Sequence, residues 1–333
     1  MKNLEKIDIY NFDLELGKRE DHIALSYQVF GQPIGSSPII VVNHALTGNS
    51  NIAGNEGWWN KIVGENKSID THYFTIIAFN IPGNGYDNDP ENLIVNYRDF
   101  TVRDIARIFW EGLFFLKIEN IHALIGLSLG GAIVWEMAVL QPDKIDNLIP
   151  IATDWKATDW VIANVLIQDQ ILKNSDDPIV DARLHATLLY RTPEYVNQKF
   201  LKDKLDTVSV FQIEYWLFDH GHKLKNQFKL AAYKLMNHLL KTNDITRNRK
   251  DFLSVTNEIH ANIHLVTIDR DCLFIADETR KTFRSLRNIK QNVFYHQMQS
   301  IHGHDAFLVE FNQLSNILNP ILNNYILHNN VSA

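Results

Sequence analysis

The stretch "ALIGLSLGGAIVWEMA", residues 123–138, decides how this chain is read. It opens as an apolar strand, breaks at Gly126-Leu127-Ser128-Leu129-Gly130, and resumes with the composition of a buried helix. A turn this tight strains the serine's backbone, and small residues two positions either side let strand and helix approach closely. The Ser128 hydroxyl then stands at the C-terminal edge of a sheet, beside a helix N-terminus that favours nearby negative charge. A glycine-rich turn that merely packs has the same G-x-S-x-G pattern, which is common by chance. The strand before it, the helix after it and Gly131 extending the turn favour a nucleophile.

The flanking sequence repeats this alternation. Residues 5 to 30 read as antiparallel strands, with "IALSYQVFG" the clearest. Short β-rich runs follow at 38–45, 73–81, 121–128 and 147–153, with helical patterns such as "VRDIARIFWEGLFFL" between the last three. Strands buried on both faces and separated by helices predict an α/β fold with a mostly parallel central sheet. From about 154 to 250 the pattern is helical almost throughout. Strands then return at 262–269 and 292–298, around a helix at 276–287, and a closing helix is expected at about 305–328. The sheet resumes after the helical block. Residues 1–153 and 254–333 are therefore expected to form one core domain, with 154–253 a helical lid inserted after the sixth strand.

Composition narrows the class. The chain has 333 residues, 45% hydrophobic and 21% charged, as in an ordinary globular protein. A net charge of −7 argues against a nucleic-acid surface, which shows a basic stripe. No apolar run is long enough to span a bilayer, and the N-terminus lacks a signal-peptide core, so no membrane partner is expected. Cys272 is the single cysteine, which excludes an intramolecular disulfide and fits a reducing cytoplasm. No repeat or low-complexity tract is present.

A serine needs a base to take its proton, and the base needs an orienting acid. In a strand–turn–helix architecture of this kind the order along the chain is serine, acid, histidine. "RDCLF" follows the strand at 262–269 and places Asp271 in the loop, where Asp269 competes with it. Asp269 continues the strand alternation, so Asp271 is the better placed to turn towards a histidine. "QSIHGHDAFLVEF" offers His302 and His304. The two histidines suggest a metal pair, but no carboxylate or cysteine cluster at ligand spacing accompanies them, so no metal is expected. A tetrahedral oxyanion needs two backbone donors. Leu129 follows the nucleophile and supplies one; Leu46, in the turn of "VVNHALTGNS" (41–50), is placed to supply the other.

With these residues in place, the chain resembles the homoserine O-acetyltransferase family of α/β-hydrolase-fold acyltransferases, over about residues 23 to 320. "NHALTGNSNIAGNEGWWNKIVGENKSIDTHYF", "FTVRDIAR", "DARLHATLLYRTPEYVNQKF", "RDCLF" and "HGHDAFLVEF" carry the resemblance. It implies a Ser128, Asp271, His304 triad and a ping-pong reaction, with no bound cofactor and acetyl-CoA as co-substrate. Acetyl-CoA would acylate Ser128, and the hydroxyl of L-homoserine would take the acetyl group, a step of methionine biosynthesis. It also implies that Asp305 contacts the substrate amino group, and a homodimer through the lid helices. For Asp305, a carboxylate favoured at a helix N-terminus is the bland alternative.

In the first lid helix, alignment on Asn164 puts Gln168 where the family carries an arginine for the substrate carboxylate. A neutral amide does not replace a bidentate cation. Arg183, in the second lid segment, is either its substitute or a structural residue. Three alternatives stay open: a carboxylic-ester hydrolase, transfer to another hydroxyl amino acid, and succinyl-CoA as donor. A binding protein with a dead site is disfavoured by the retained serine, acid, histidine and oxyanion turns.

Overall fold

The computed structural model describes residues 4–201 and 210–330. Along Ile39–Asn43 every residue is buried, and the pleat sends Ile39 and Val41 into one hydrophobic cluster and Ile40 and Val42 into another. This strand (β3) therefore lies inside a sheet covered on both faces, as its unbroken apolar composition predicts. Among the described residues the sheet has eight strands. The others are β1 (Glu5–Asp13), β2 (Arg19–Gly31), β4 (Thr75–Phe79), β5 (Ile121–Leu127), β6 (Ile145–Ile151), β7 (Asn262–Ile268) and β8 (Val293–Met298). Their spatial order is β1-β2-β4-β3-β5-β6-β7-β8. β1 and β2 are antiparallel to their neighbours, and the rest run parallel. This is the α/β-hydrolase arrangement.

The register positions the site. Asn43 pairs with Gly126, Leu127 with Ile151, Ile151 with Val266, and Ile268 with Met298. The C-terminal ends of these strands are thus level, and the loops leaving them share one edge. A separate parallel pair, Val63–Gly64 with Ile69–Asp70, sits within the segment between β3 and β4.

Helices α1 (Val102–Phe115) and α2 (Leu129–Leu140) pack on one face of the sheet, and α10 (Phe311–Asn330) on the other. Thr101 starts α1 with a capping box: its Oγ1 accepts from Asp104 N–H while the Asp104 carboxylate accepts from Thr101 N–H. Between β6 and β7 the chain runs through α3 (Asp159–Asn174), α4 (Pro178–Tyr190), α5 (Pro193–Phe200), α6 (Gln212–Gln227), α7 (Leu230–Lys241) and the short α8 (Phe252–Asn257). Thr158 caps α3, while α4 and α5 each open on a proline, where no intrahelical N–H is needed. α9 (Ala276–Arg287) joins β7 to β8 over the range expected. The closing helix differs: residues Gly303–Leu308 form a 3-10 turn, and α10 starts only at Phe311. Val309, at φ −130° and ψ −46°, lies outside helical geometry and separates the two.

Candidate active site

Ser128 holds φ 53° and ψ −116°, a conformation that costs a non-glycine residue on the order of 1–3 kcal/mol. Its surroundings enforce that conformation. A Cβ on Gly126 would stand 2.2 Å from Gly130 O, and one on Gly130 would stand 2.2 Å from Asn43 O and 2.6 Å from His44 O. Only glycines let the turn close this tightly on itself and on the end of β3. The Ser128 N–H donates to Ile151 O at 2.9 Å, which ties the turn to β6.

Three side chains, each separated in sequence from the next by at least 33 residues, meet here. His304 Nδ1 donates to Asp271 Oδ2 at 2.6 Å, which leaves Nε2 to accept from Ser128 Oγ at 2.9 Å. Asp271 is itself fixed, its Oδ1 accepting from Leu273 N–H at 2.7 Å and Phe274 N–H at 2.9 Å. Asp269 turns elsewhere and accepts from Ser300 N–H. His302 does not reach Ser128; its ring lies by Tyr195 and Arg191. The His304 ring is enclosed by Tyr190, Phe274 and Phe307, at centroid distances of 5.5, 5.7 and 5.5 Å. This burial pushes the imidazole pKa down. The charge and hydrogen bond of Asp271, with the charge of Asp305, outweigh it and hold the group above its ordinary value.

Leu46 and Leu129 are both buried, and neither N–H donates to another group among the described residues. Buried N–H groups are seldom left unpaired, so two on adjoining segments mark a place for an anion. His44 shapes the Leu46 turn. Its Nδ1 donates to Ala45 O at 2.7 Å, and its Nε2 accepts from Ile81 N–H at 3.1 Å. Burial pushes its pKa down to about 4, so it stays neutral and keeps that accepting nitrogen. His44 opens the "HALTG" part of a segment that carries the resemblance; its role in the fold depends on the loop after β4 returning to it.

Leu46, Tyr190 and Leu273 also line a cavity of about 20 Å³, room for about one water molecule, walled by Val161, Val165 and Gln168 of α3 and by Tyr233 of α7. Two larger open depressions, of about 590 and 550 Å³, are lined by other residues and include none of the hydrogen-bonded series. Gln168 Nε2 donates to Ala182 O, and its Oε1 is buried without a partner among the described residues. The Arg183 guanidinium lies 5.3 Å from the centre of the Tyr190 ring and makes no ion pair among the described residues. Asp305 faces Arg191, whose Nη2 lies 3.1 Å from its Oδ2. Arg191 lies within the segment "DARLHATLLYRTPEYVNQKF", but the sequence alone assigns it no role. Among the described residues no three His, Cys, Asp or Glu side chains gather as metal ligands, and no helix is long and apolar enough to cross a membrane.

A family model described as alpha/beta hydrolase fold matches residues 38–177. A homoserine O-acetyltransferase of Cyclobacterium marinum is 31% identical, over 95% of this chain and 93% of its own. The solved homoserine O-acetyltransferase of Staphylococcus aureus superposes with a TM-score of 0.79 at 25% identity, covering 96% of this chain and 95% of that one. The solved esterase E22 superposes with a TM-score of 0.85 at 15% identity, covering 96% and 99%. That last likeness speaks to the fold alone.

Proposed function

Because this chain belongs to the homoserine O-acetyltransferase family within the α/β-hydrolase fold, we propose that it moves an acetyl group from acetyl-CoA to the hydroxyl of L-homoserine through an acyl-Ser128 intermediate. The observation that carries this reading is the series Ser128–His304–Asp271, at 2.9 and 2.6 Å, on a strained turn beside two N–H groups without an acceptor among the described residues.

In the first half-reaction His304 Nε2 takes the Ser128 Oγ proton as Oγ attacks the thioester carbon. The oxygen gains negative charge opposite the Leu46 and Leu129 N–H groups. The C–S bond then breaks, the imidazolium returns its proton to the leaving sulfur, and CoA departs. In the second half-reaction His304 takes the proton of the acceptor hydroxyl, whose oxygen attacks the acyl carbon; the bond to Oγ then breaks and the imidazolium returns its proton to Ser128. Asp271 holds the tautomer in which Nε2 accepts and stabilises the imidazolium. The guanidinium of Arg183, without an ion pair among the described residues, supports a role in binding the acceptor carboxylate, and Asp305, beside the base, one in binding its amino group. No bound cofactor is needed. The helices between β6 and β7 act as a lid that keeps water from the acyl-serine. Exposed Ile162 and Leu166 of α3 and Tyr215 and Phe218 of α6 support a homodimer through that lid.

The test is CoA release from acetyl-CoA with and without L-homoserine, together with mass analysis of the Ser128 peptide after brief exposure to the donor. Release that speeds up with L-homoserine, and an acetylated Ser128, support the proposal. If no hydroxyl amino acid changes CoA release while a simple acyl ester is cleaved, the enzyme is a hydrolase.

A further inference from the structure

One corner of the helical insertion reaches both loops that carry the acid and the base. α4 ends at Tyr190 and α5 begins at Pro193, so Arg191 and Thr192 form the bend. Thr192 Oγ1 accepts from Tyr195 N–H at 3.0 Å, capping α5, and donates to Ile301 O at 2.5 Å. Arg191 turns towards the same loop: Nη2 lies 3.1 Å from Asp305 Oδ2, and Nη1 donates to His302 Nδ1 at 3.4 Å. Its guanidinium also covers the Tyr195 ring. Two residues beyond Thr192, Glu194 pairs with Arg270, the residue before Asp271. The histidine loop lies hard against the corner, since a Cβ on Gly303 would stand 3.0 Å from Tyr190 O.

We propose that Arg191 is a positioning residue of the site: it holds Asp305, and with it the loop bearing His304, against the α4–α5 corner, and it offsets the negative charge beside the imidazole. The inference rests on the reading that His304 is the base. Arg191 and Asp305 are only 17% and 16% exposed. A pair this buried survives only with good geometry, so it contributes placement more than stability. The groups facing His304 are Ser128, Asp271 from the loop after β7, Tyr190 from α4 with Arg183 behind it, and His302 and Asp305 from its own loop. Both carboxylates favour the imidazolium, and a base needs the neutral ring. Arg191 offsets one of the two.

The measurement is the pH dependence of the p-nitrophenol burst from p-nitrophenyl acetate, with the full chain. This half-reaction uses Ser128 and His304 but no amino-acid acceptor, so it is blind to any contact between Asp305 and that acceptor. Arg191→Gln should slow acylation about tenfold or more at neutral pH and move the acid limb to higher pH. Arg191→Lys should recover most of the rate and the original limb. Asp305→Asn should move the limb to lower pH. A Gln variant with wild-type rate and limb overturns the proposal. So does a Lys variant as slow as the Gln variant with the limb unmoved in both, because lost packing then explains everything. If Arg191→Gln does not fold, Asp305→Asn decides: a limb moved down supports the proposal, and an unmoved one overturns it. A burst that persists unchanged in Ser128→Ala refutes the acyl-serine reading itself, and the role of Arg191 falls with it.

Discussion

Ser128 combines a strained backbone with a buried hydrogen bond to His304, and in the proposed reaction both would serve attack by Oγ. Ser128→Ala is expected to abolish acyl transfer; a variant near the wild-type rate rules out a covalent intermediate there. Asp271→Asn keeps the shape of the side chain but puts an amide where His304 Nδ1 now donates to a carboxylate. Acylation should then fall by about 10³-fold or more, read by the same burst. The pH profile follows from His304. The base must be neutral, and its pKa is held above the ordinary 6.5, so kcat/KM should fall as pH drops through a value above 6.5. A midpoint below 6.5 removes His304 as the base.

At the scale of elements, the turn between β5 and α2 and the end of β3 are one packed unit. Gly130→Ala pushes a methyl group into Asn43 O and His44 O, both backbone, so neither can move aside cheaply. A loss of about 2–3 kcal/mol in urea unfolding is expected, with weaker oxyanion stabilisation because the Leu46 turn is displaced. The α1 cap is a control outside that unit. Thr101→Ala removes the cap and a hydrogen bond to Glu15, and should cost about 1–2 kcal/mol while leaving kcat unchanged. A kcat change there, with stability unaltered, contradicts this separation.

For the molecule as a whole, a buried ionic network joins distant segments. Glu136 of α2 meets Arg103 of α1 and Arg249, and Glu15 of the β1–β2 turn meets Arg103 and Arg247. These contacts bind the segment after α7 to the core. Titration of the interior governs acid stability. Burial pushes His44, His238 and His264 down to about 4, so each binds a proton in the unfolded chain before it does in the native one. Stability should therefore fall as pH drops from about 6.5 towards 4. Burial raises Glu15, but hydrogen bonds from Thr101 and Arg247 and the charges of Arg103 and Arg247 outweigh it and hold its pKa down. Its contribution is present above the ordinary value of 4.5 and is lost as pH falls through its lower native value. Asp154, raised by burial to about 6, works the other way: its cost to the native state is present above that pH and is relieved as pH falls towards its ordinary 3.8. The net expectation is a urea midpoint that declines from pH 7 to pH 4; a flat or rising midpoint contradicts it.

Local chemistry determined much of this protein without tertiary information. The apolar runs of β3 and β5, the small residues around Ser128 and the prolines opening α4 and α5 each act within a few residues, so strand, turn and helix are legible in the chain. Asp271, just past the end of β7, is legible in the same way. The choice between His302 and His304 is not: the residues left both available, and the resemblance singled out His304. Of the two, His304 lies within hydrogen-bonding distance of Ser128, 176 residues away in sequence, and His302 does not. The partners of Arg191 and His44, the Glu15–Glu136 network and the late start of α10 are likewise matters of tertiary structure. Each depends on segments far apart in sequence being brought together when the sheet closes, and no local pattern of residues records which distant partner a side chain will meet.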